Sequence, residues 1–125
     1  MQILGSMDKR QHPRYKVKER VFVECSAHPV KIGELIDISA GGLSFRYLAN
    51  GETLKKDFEV TIYFAPGRFK SEEIPLKTVS DFIIVPEFSA GLTEVRRRGA
   101  CFRQLGEGQK SHIEDFIRNH TLGEA

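Results

Sequence analysis

The sequence predicts a mostly-β domain: a small antiparallel barrel of five or six strands, with an amphipathic α-helix packed against it at the C-terminal end. Three observations carry that reading. Apolar and polar residues alternate in several short runs through the middle of the chain, the period of a half-buried strand. Glycine and proline interrupt the alternation at short intervals, where turns belong. After Gly106 and Gly108 the period lengthens, and Ile113, Phe116 and Ile117 recur at i, i+3 and i+4, one apolar helical stripe. The 125 residues, 40% hydrophobic and 29% charged, suit one globular domain with its own core. Closing the sheet removes exposed edges, and the helix covers an open end.

The elements follow in order. Residues 1–7 are set aside as a leader, native or vector-derived, and 8–125 form the domain. Residues 8–15 read as a flexible basic arm. In Val17–Cys25, Val17, Val21, Val23 and Cys25 share one parity, a half-buried strand ended by His28-Pro29. Lys31–Ile38 is a second apolar-rich run, and Ser39-Ala-Gly-Gly42 is the turn after it. Leu43–Tyr47 alternates cleanly up to Asn50-Gly51. Phe58, Val60, Ile62 and Phe64 line one face of the next strand, which Ala65-Pro-Gly67 ends. Ile74–Val85 is a further strand or bent pair, closed by Pro86. Val95–Leu105 is the last strand, where Gly99 marks a bulge or a close backbone approach. The helix is placed at 109–120, with Ser111 and Glu114 as a capping box.

A net charge of +2 hides an uneven distribution. Lys9, Arg10, Arg14, Lys16, Lys18 and Arg20 are opposed only by Asp8 and Glu19, and Arg96-Arg97-Arg98 forms a second basic knot near Arg103. Together they read as one anion-attracting region, not a uniformly basic protein. Cys25 and Cys101 make no CxxC pair and read as two buried thiols, and no metal site is expected. His12, His28, His112 and His120 are scattered, Ser39 lacks a GxSxG elbow, and no GK[ST] follows Gly41-Gly42, so no catalysis is expected. There is no run of about 18 apolar residues and no signal-peptide pattern, which makes the cytoplasm the default compartment.

Two short features remain. The first is Arg10-Gln-His-Pro-Arg14, just before the first strand. Each guanidinium offers a planar fork that matches phosphate oxygens or the O6/N7 edge of guanine. Pro13 disfavours helix at His12, so the pair sits on an extended arm. The second is Asp37-Ile-Ser39-Ala-Gly-Gly42. Asp37 and Ser39 share a parity and are expected to project from one face. The carboxylate can accept from the N1–H and N2–H₂ edge of guanine, Ser39 can add a hydroxyl bond, and Gly42 leaves room for a ring or phosphate. Taken alone, the first also reads as a solvated basic leader and the second as a hairpin turn.

RxxxR at Arg10 and Arg14, followed by DxSxxG at Asp37, Ser39 and Gly42, resembles the signature of the PilZ domain family. Arg98-Gly-Ala-Cys-Phe-Arg103 is similar to that family's late strand, and the resemblance runs from about Asp8 to the C-terminal helix. It implies a six-stranded antiparallel barrel with a C-terminal helix, and a bacterial receptor for the second messenger cyclic di-guanosine monophosphate (c-di-GMP). By resemblance, Arg10 and Arg14 grip phosphate and guanine, and Asp37, Ser39 and Gly42, with Gly41 beside them, cradle a guanine. Lys9 stands where some members carry a further arginine that favours a stacked ligand dimer; lysine keeps the charge without the fork, so stoichiometry stays open. The arm is expected to order over the barrel on binding and to signal to a partner protein. The alternatives are a PilZ-fold interaction module without ligand function, and a small nucleic-acid-binding barrel, for which +2 is a weak charge.

Overall fold

A computed structural model describes residues 13–17, 20–26, 31–49, 55–64, 71, 73–85 and 94–124. Eight strands and one helix follow in order: β1 (Tyr15–Val17), β2 (Val21–Cys25), β3 (Lys31–Ile38), β4 (Gly42–Ala49), β5 (Asp57–Phe64), β6 (Ile74–Val85), β7 (Glu94–Phe102), α1 (Glu107–His120) and β8 (Thr121–Glu124). The sheet order is β2-β5-β6-β7-β4-β3-β1-β8, and a further β2–β3 pairing closes the six strands from β2 to β7 into a barrel. Every pairing is antiparallel.

The alternation read from the sequence is the alternation that builds the core. Val21, Val23 and Cys25 of β2, Leu43, Phe45, Tyr47 and Ala49 of β4, and Phe58, Val60 and Ile62 of β5 all face inward. Leu35, Ile38, Ile74, Leu76 and Ala100 complete the wall. Ile113 and Phe116 of α1 are buried in the same cluster, with Leu105 and Ile117 packed against it.

Several boundaries differ from expectation. Tyr15 belongs to strand β1 rather than to a loose arm, because β3 offers it a partner at Ile38. Ile74–Val85 is one long strand, bent by irregularities between Thr78 and Ser80 and between Ile83 and Val85. A Cβ on Gly99 would lie 2.9 Å from Ser80 Oγ, so this glycine serves a close approach at the first of those bends. The helix starts two residues early, at Glu107. Gln109 accepts from the Gly106 N–H at 2.8 Å, which places Ser111 inside the helix and removes it from any cap. Strand β8 had no counterpart in the sequence reading; it lies beside β1. Cys101 is half-buried, not buried like Cys25. Residues 1–12, including Lys9 and Arg10, and the turns at His28-Pro29, Asn50-Gly51, Ala65-Gly67 and Pro86 lie outside the described residues.

Candidate ligand-binding face

Strand β1 determines where the second motif arginine goes. Tyr15 pairs with Ile38 and Lys16 with Asp37, so the residue before β1 is delivered to the end of β3. There Arg14 Nη1 donates to Asp37 Oδ1 at 2.9 Å, across 23 positions of sequence. The pair is part-buried, with Asp37 only 6% exposed.

Asp37 is shared by more than Arg14. An irregularity between Leu35 and Asp37 sets Asp37 opposite Ser44 of β4, and Ser44 lies opposite Gly99 of β7. The Ser44 hydroxyl donates to Asp37 Oδ1 at 2.7 Å. Arg97 Nη2, two residues before Gly99, donates to Asp37 Oδ2 at 3.1 Å and to Ser44 Oγ at 3.2 Å. One carboxylate thus holds a hydroxyl and two guanidinium groups drawn from two strands and the arm, with charge-assisted bonds that are stronger than neutral ones.

The turn that follows is closed from within. The Gly41 and Gly42 N–H groups donate to Ser39 Oγ at 3.0 and 3.1 Å, and the Ser39 N–H and hydroxyl donate to the Gly42 carbonyl at 2.8 and 3.3 Å. β3 ends at Ile38, and the Ser39 hydroxyl is engaged within the turn that follows, the hairpin-turn role this motif also allowed. Gly42 also has a local reason. A Cβ there would lie 2.2 Å from the Ala100 carbonyl, so β7 itself makes the close approach. The Phe102 N–H donates to the Gly41 carbonyl at 2.9 Å, stitching the turn to the end of β7. A hollow of about 310 Å³ lies between this turn and α1, lined by Ala40, Leu105, Lys110, Ile113 and Glu114.

The basic knot on β7 is divided by strand parity. Arg97 faces outward to Asp37, whereas Arg96 and Arg98 face the other way, to Asp81 of β6. Arg98 is 4% exposed; its Nε donates to Asp81 Oδ2 at 2.7 Å, and its guanidinium lies 5.3 Å from the Phe58 ring centre. Arg96 and the Tyr47 hydroxyl each donate to the same carboxylate at 2.6 Å. Burial alone would push the Asp81 carboxyl up, but the hydrogen bonds from Tyr47, Arg96 and Arg98 prevail and hold it below its ordinary value. Burial, then the bond to Asp81, pushes the Tyr47 hydroxyl up to about 12. The expectation of a single anion-attracting region thus fails for Arg96 and Arg98, which are committed to a carboxylate within the fold. Ser44 escaped the sequence reading, and Arg97 entered it only as one member of the basic knot, not as a partner of Asp37. The signal that could have found Arg97 is its parity, opposite to that of Arg98, in a strand already assigned.

Among the described residues, no cluster of three histidine, cysteine, aspartate or glutamate side chains could hold a metal, and no helix is long and apolar enough to cross a membrane.

Fold and cluster together define the molecule as a small closed β-barrel with a helical cap and a carboxylate-anchored arginine pair on its outer wall. The chain belongs to the PilZ domain family, whose profile matches residues 8–119. No curated protein is significantly similar to it in sequence. Its fold is similar to that of the PilZ domain with c-di-GMP of YcgR from Escherichia coli, at 13% identity and a TM-score of 0.69 over 89% of this chain and 90% of that one. It is also similar to the MrkH–c-di-GMP complex of K. pneumonia, at 17% identity and a TM-score of 0.68 over 90% of this chain and 52% of that one. A third similar structure is the Bacillus subtilis inhibitor of motility MotI/DgrA, at 15% identity and a TM-score of 0.62 over 89% of this chain and 50% of that one. The chain thus spans nearly all of the YcgR domain but about half the length of MrkH and MotI/DgrA.

Proposed function

We propose that this domain is a receptor for c-di-GMP that senses and relays the ligand without transforming it. The observation that carries the reading is the meeting of Arg14 with Asp37 at 2.9 Å: the two motif halves, 23 residues apart, share one patch on the barrel wall. Family membership and the c-di-GMP complexes among its structural neighbours support the choice of ligand.

In this reading Arg10 and Arg14 grip phosphate and the Hoogsteen edge of guanine, and Lys9 adds charge beside them. Asp37 accepts from the Watson–Crick edge. Ser39 holds the amides of Gly41 and Gly42 in a fixed turn against which the second guanine edge rests. The arm before Tyr15 orders over the barrel when ligand binds, which uses part of the binding energy, on the order of 2–5 kcal/mol for a segment that folds on binding. The clamped arm then changes the surface presented to a partner protein.

Isothermal titration with c-di-GMP tests this. Arg10→Ala and Arg14→Ala should each weaken binding at least about tenfold, in line with roughly 1.5–3 kcal/mol for a charge-assisted contact, with melting temperatures little changed. Wild-type affinity in both variants would refute the site. Asp37→Ala should lose preference for c-di-GMP over c-di-AMP; an unchanged preference would remove Asp37 from guanine recognition.

A further inference from the structure

We propose that Arg97 is an additional anion-gripping residue of this face, set on the barrel wall to take a phosphodiester oxygen of the cyclic dinucleotide. The inference rests on the receptor reading above and extends it to a residue outside both motifs.

The geometry is specific. Both hydrogen bonds of Arg97, to Asp37 and to Ser44, use the single nitrogen Nη2. A guanidinium carries five N–H donors. Nε and Nη1 of Arg97 therefore keep their donors unused among the described residues. The side chain is 36% exposed, against 5% for its neighbour Arg98, so it is open to a ligand in solution where Arg98 is not. Asp37 Oδ1 holds Arg14 and Asp37 Oδ2 holds Arg97. Two cations on one anion leave the cluster with a net positive charge, on a patch only partly open to solvent where screening is reduced. A planar group whose Nη2 is held by a carboxylate, and whose remaining N–H donors are unused, can offer one of them to a phosphate oxygen. Because Arg97 sits on a paired strand, holding it in place costs less than ordering an arm residue.

A second carboxylate, Glu34, also bridges two arginines, Arg20 and Arg46. The difference lies in burial. The Arg20 and Arg46 side chains are 76% and 53% exposed, where an ion pair is weak and screened, and Glu34 belongs to neither motif. Arg46 is the cross-strand neighbour of Arg97, so removing it deletes an equal charge one strand away and makes an internal control.

The experiment is c-di-GMP titration of the wild type, Arg97→Ala, Arg97→Lys and Arg46→Ala at low and high salt, with thermal melts to confirm that each variant folds. Arg97→Ala should bind about tenfold more weakly and lose part of the salt dependence of its affinity. Arg97→Lys should recover that salt dependence and part of the affinity, and Arg46→Ala should stay within about twofold of wild type. Wild-type affinity in Arg97→Ala, or equal losses in Arg97→Ala and Arg46→Ala, would overturn the assignment. So would a loss in Arg97→Ala with undiminished salt dependence, because Arg97 would then serve only to position Asp37. A wild type that takes no c-di-GMP overturns the receptor reading itself, and the role of Arg97 falls with it.

Discussion

Three consecutive arginines on β7 meet three different situations because side chains alternate across a strand. Arg97 stands on the outer wall with Asp37, while Arg98 is sealed inside with Asp81 and Arg96 reaches the same carboxylate from nearer the rim. A buried guanidinium is tolerable only while its counter-charge remains. Asp81→Ala should therefore cost about 3–5 kcal/mol in urea denaturation, as expected for stranding a buried charge. The pH dependence follows in sign. The folded Asp81 carboxyl lies below its ordinary value, so its stabilisation is complete above about pH 4 and is lost as the pH falls through the folded value. Wild type should lose stability steeply in acid, and Asp81→Ala should show a flatter profile in the same series. Cys25 offers a second check at this scale. Burial pushes its thiol up to about 11, so at pH 8 it should resist a thiol reagent until the chain unfolds.

At the scale of elements, two glycines separate close approach from mere flexibility. Ala at position 42 would drive a Cβ to within 2.2 Å of the Ala100 carbonyl, backbone against backbone, with no flexible side chain to give way. Gly42→Ala should cost upward of about 2 kcal/mol by thermal denaturation. Gly108 lies in the first turn of α1 with nothing within 4 Å of its missing Cβ. Gly108→Ala should stabilise the protein, by up to about 1 kcal/mol, because alanine loses less entropy on entering a helix. The helix itself is held by its buried stripe. Phe116, 3% exposed, should cost about 3–5 kcal/mol when cut to alanine. An unchanged melting temperature there would mean that α1 contributes little to the core.

At the scale of the whole molecule, the barrel closes through β2–β3, but the ligand-binding face depends on strands added outside that closure. β1 is three residues long and is held between β3 and β8. Tyr15 pairs with Glu124 and Lys16 with Gly123, so the end of the chain braces the strand that delivers Arg14 to Asp37. Deleting residues 121–125 should leave the barrel folded and reduce hydrogen-exchange protection at Tyr15–Val17, since short, poorly braced elements open locally. Full protection there would show that β3 alone holds β1.

Much of this was legible in the residues. The parity of Val21, Val23 and Cys25, and of Phe58, Val60 and Ile62, marked the core directly, because a pleated strand converts period-2 sequence into one buried face. Ile113 and Phe116 did the same for the helix at period 3.6. Strand β8 was not legible, since Thr121–Glu124 carries no alternation strong enough to mark a strand and its pairing is made with β1. The capping box was misplaced because Ser111 and Glu114 fit the pattern, while Gln109 made the actual bond back to Gly106.

Local pattern by itself determined most of the barrel strands, the helix, their core positions and the two short motifs, because each depends on neighbours a few residues away. Only the tertiary structure decided that Asp37 joins Arg14, Ser44 and Arg97, and that Arg98 lies inside while Arg97 lies outside. Those outcomes rest on strand register and on which face of the closed sheet is buried, and register is set by pairing between segments distant in sequence.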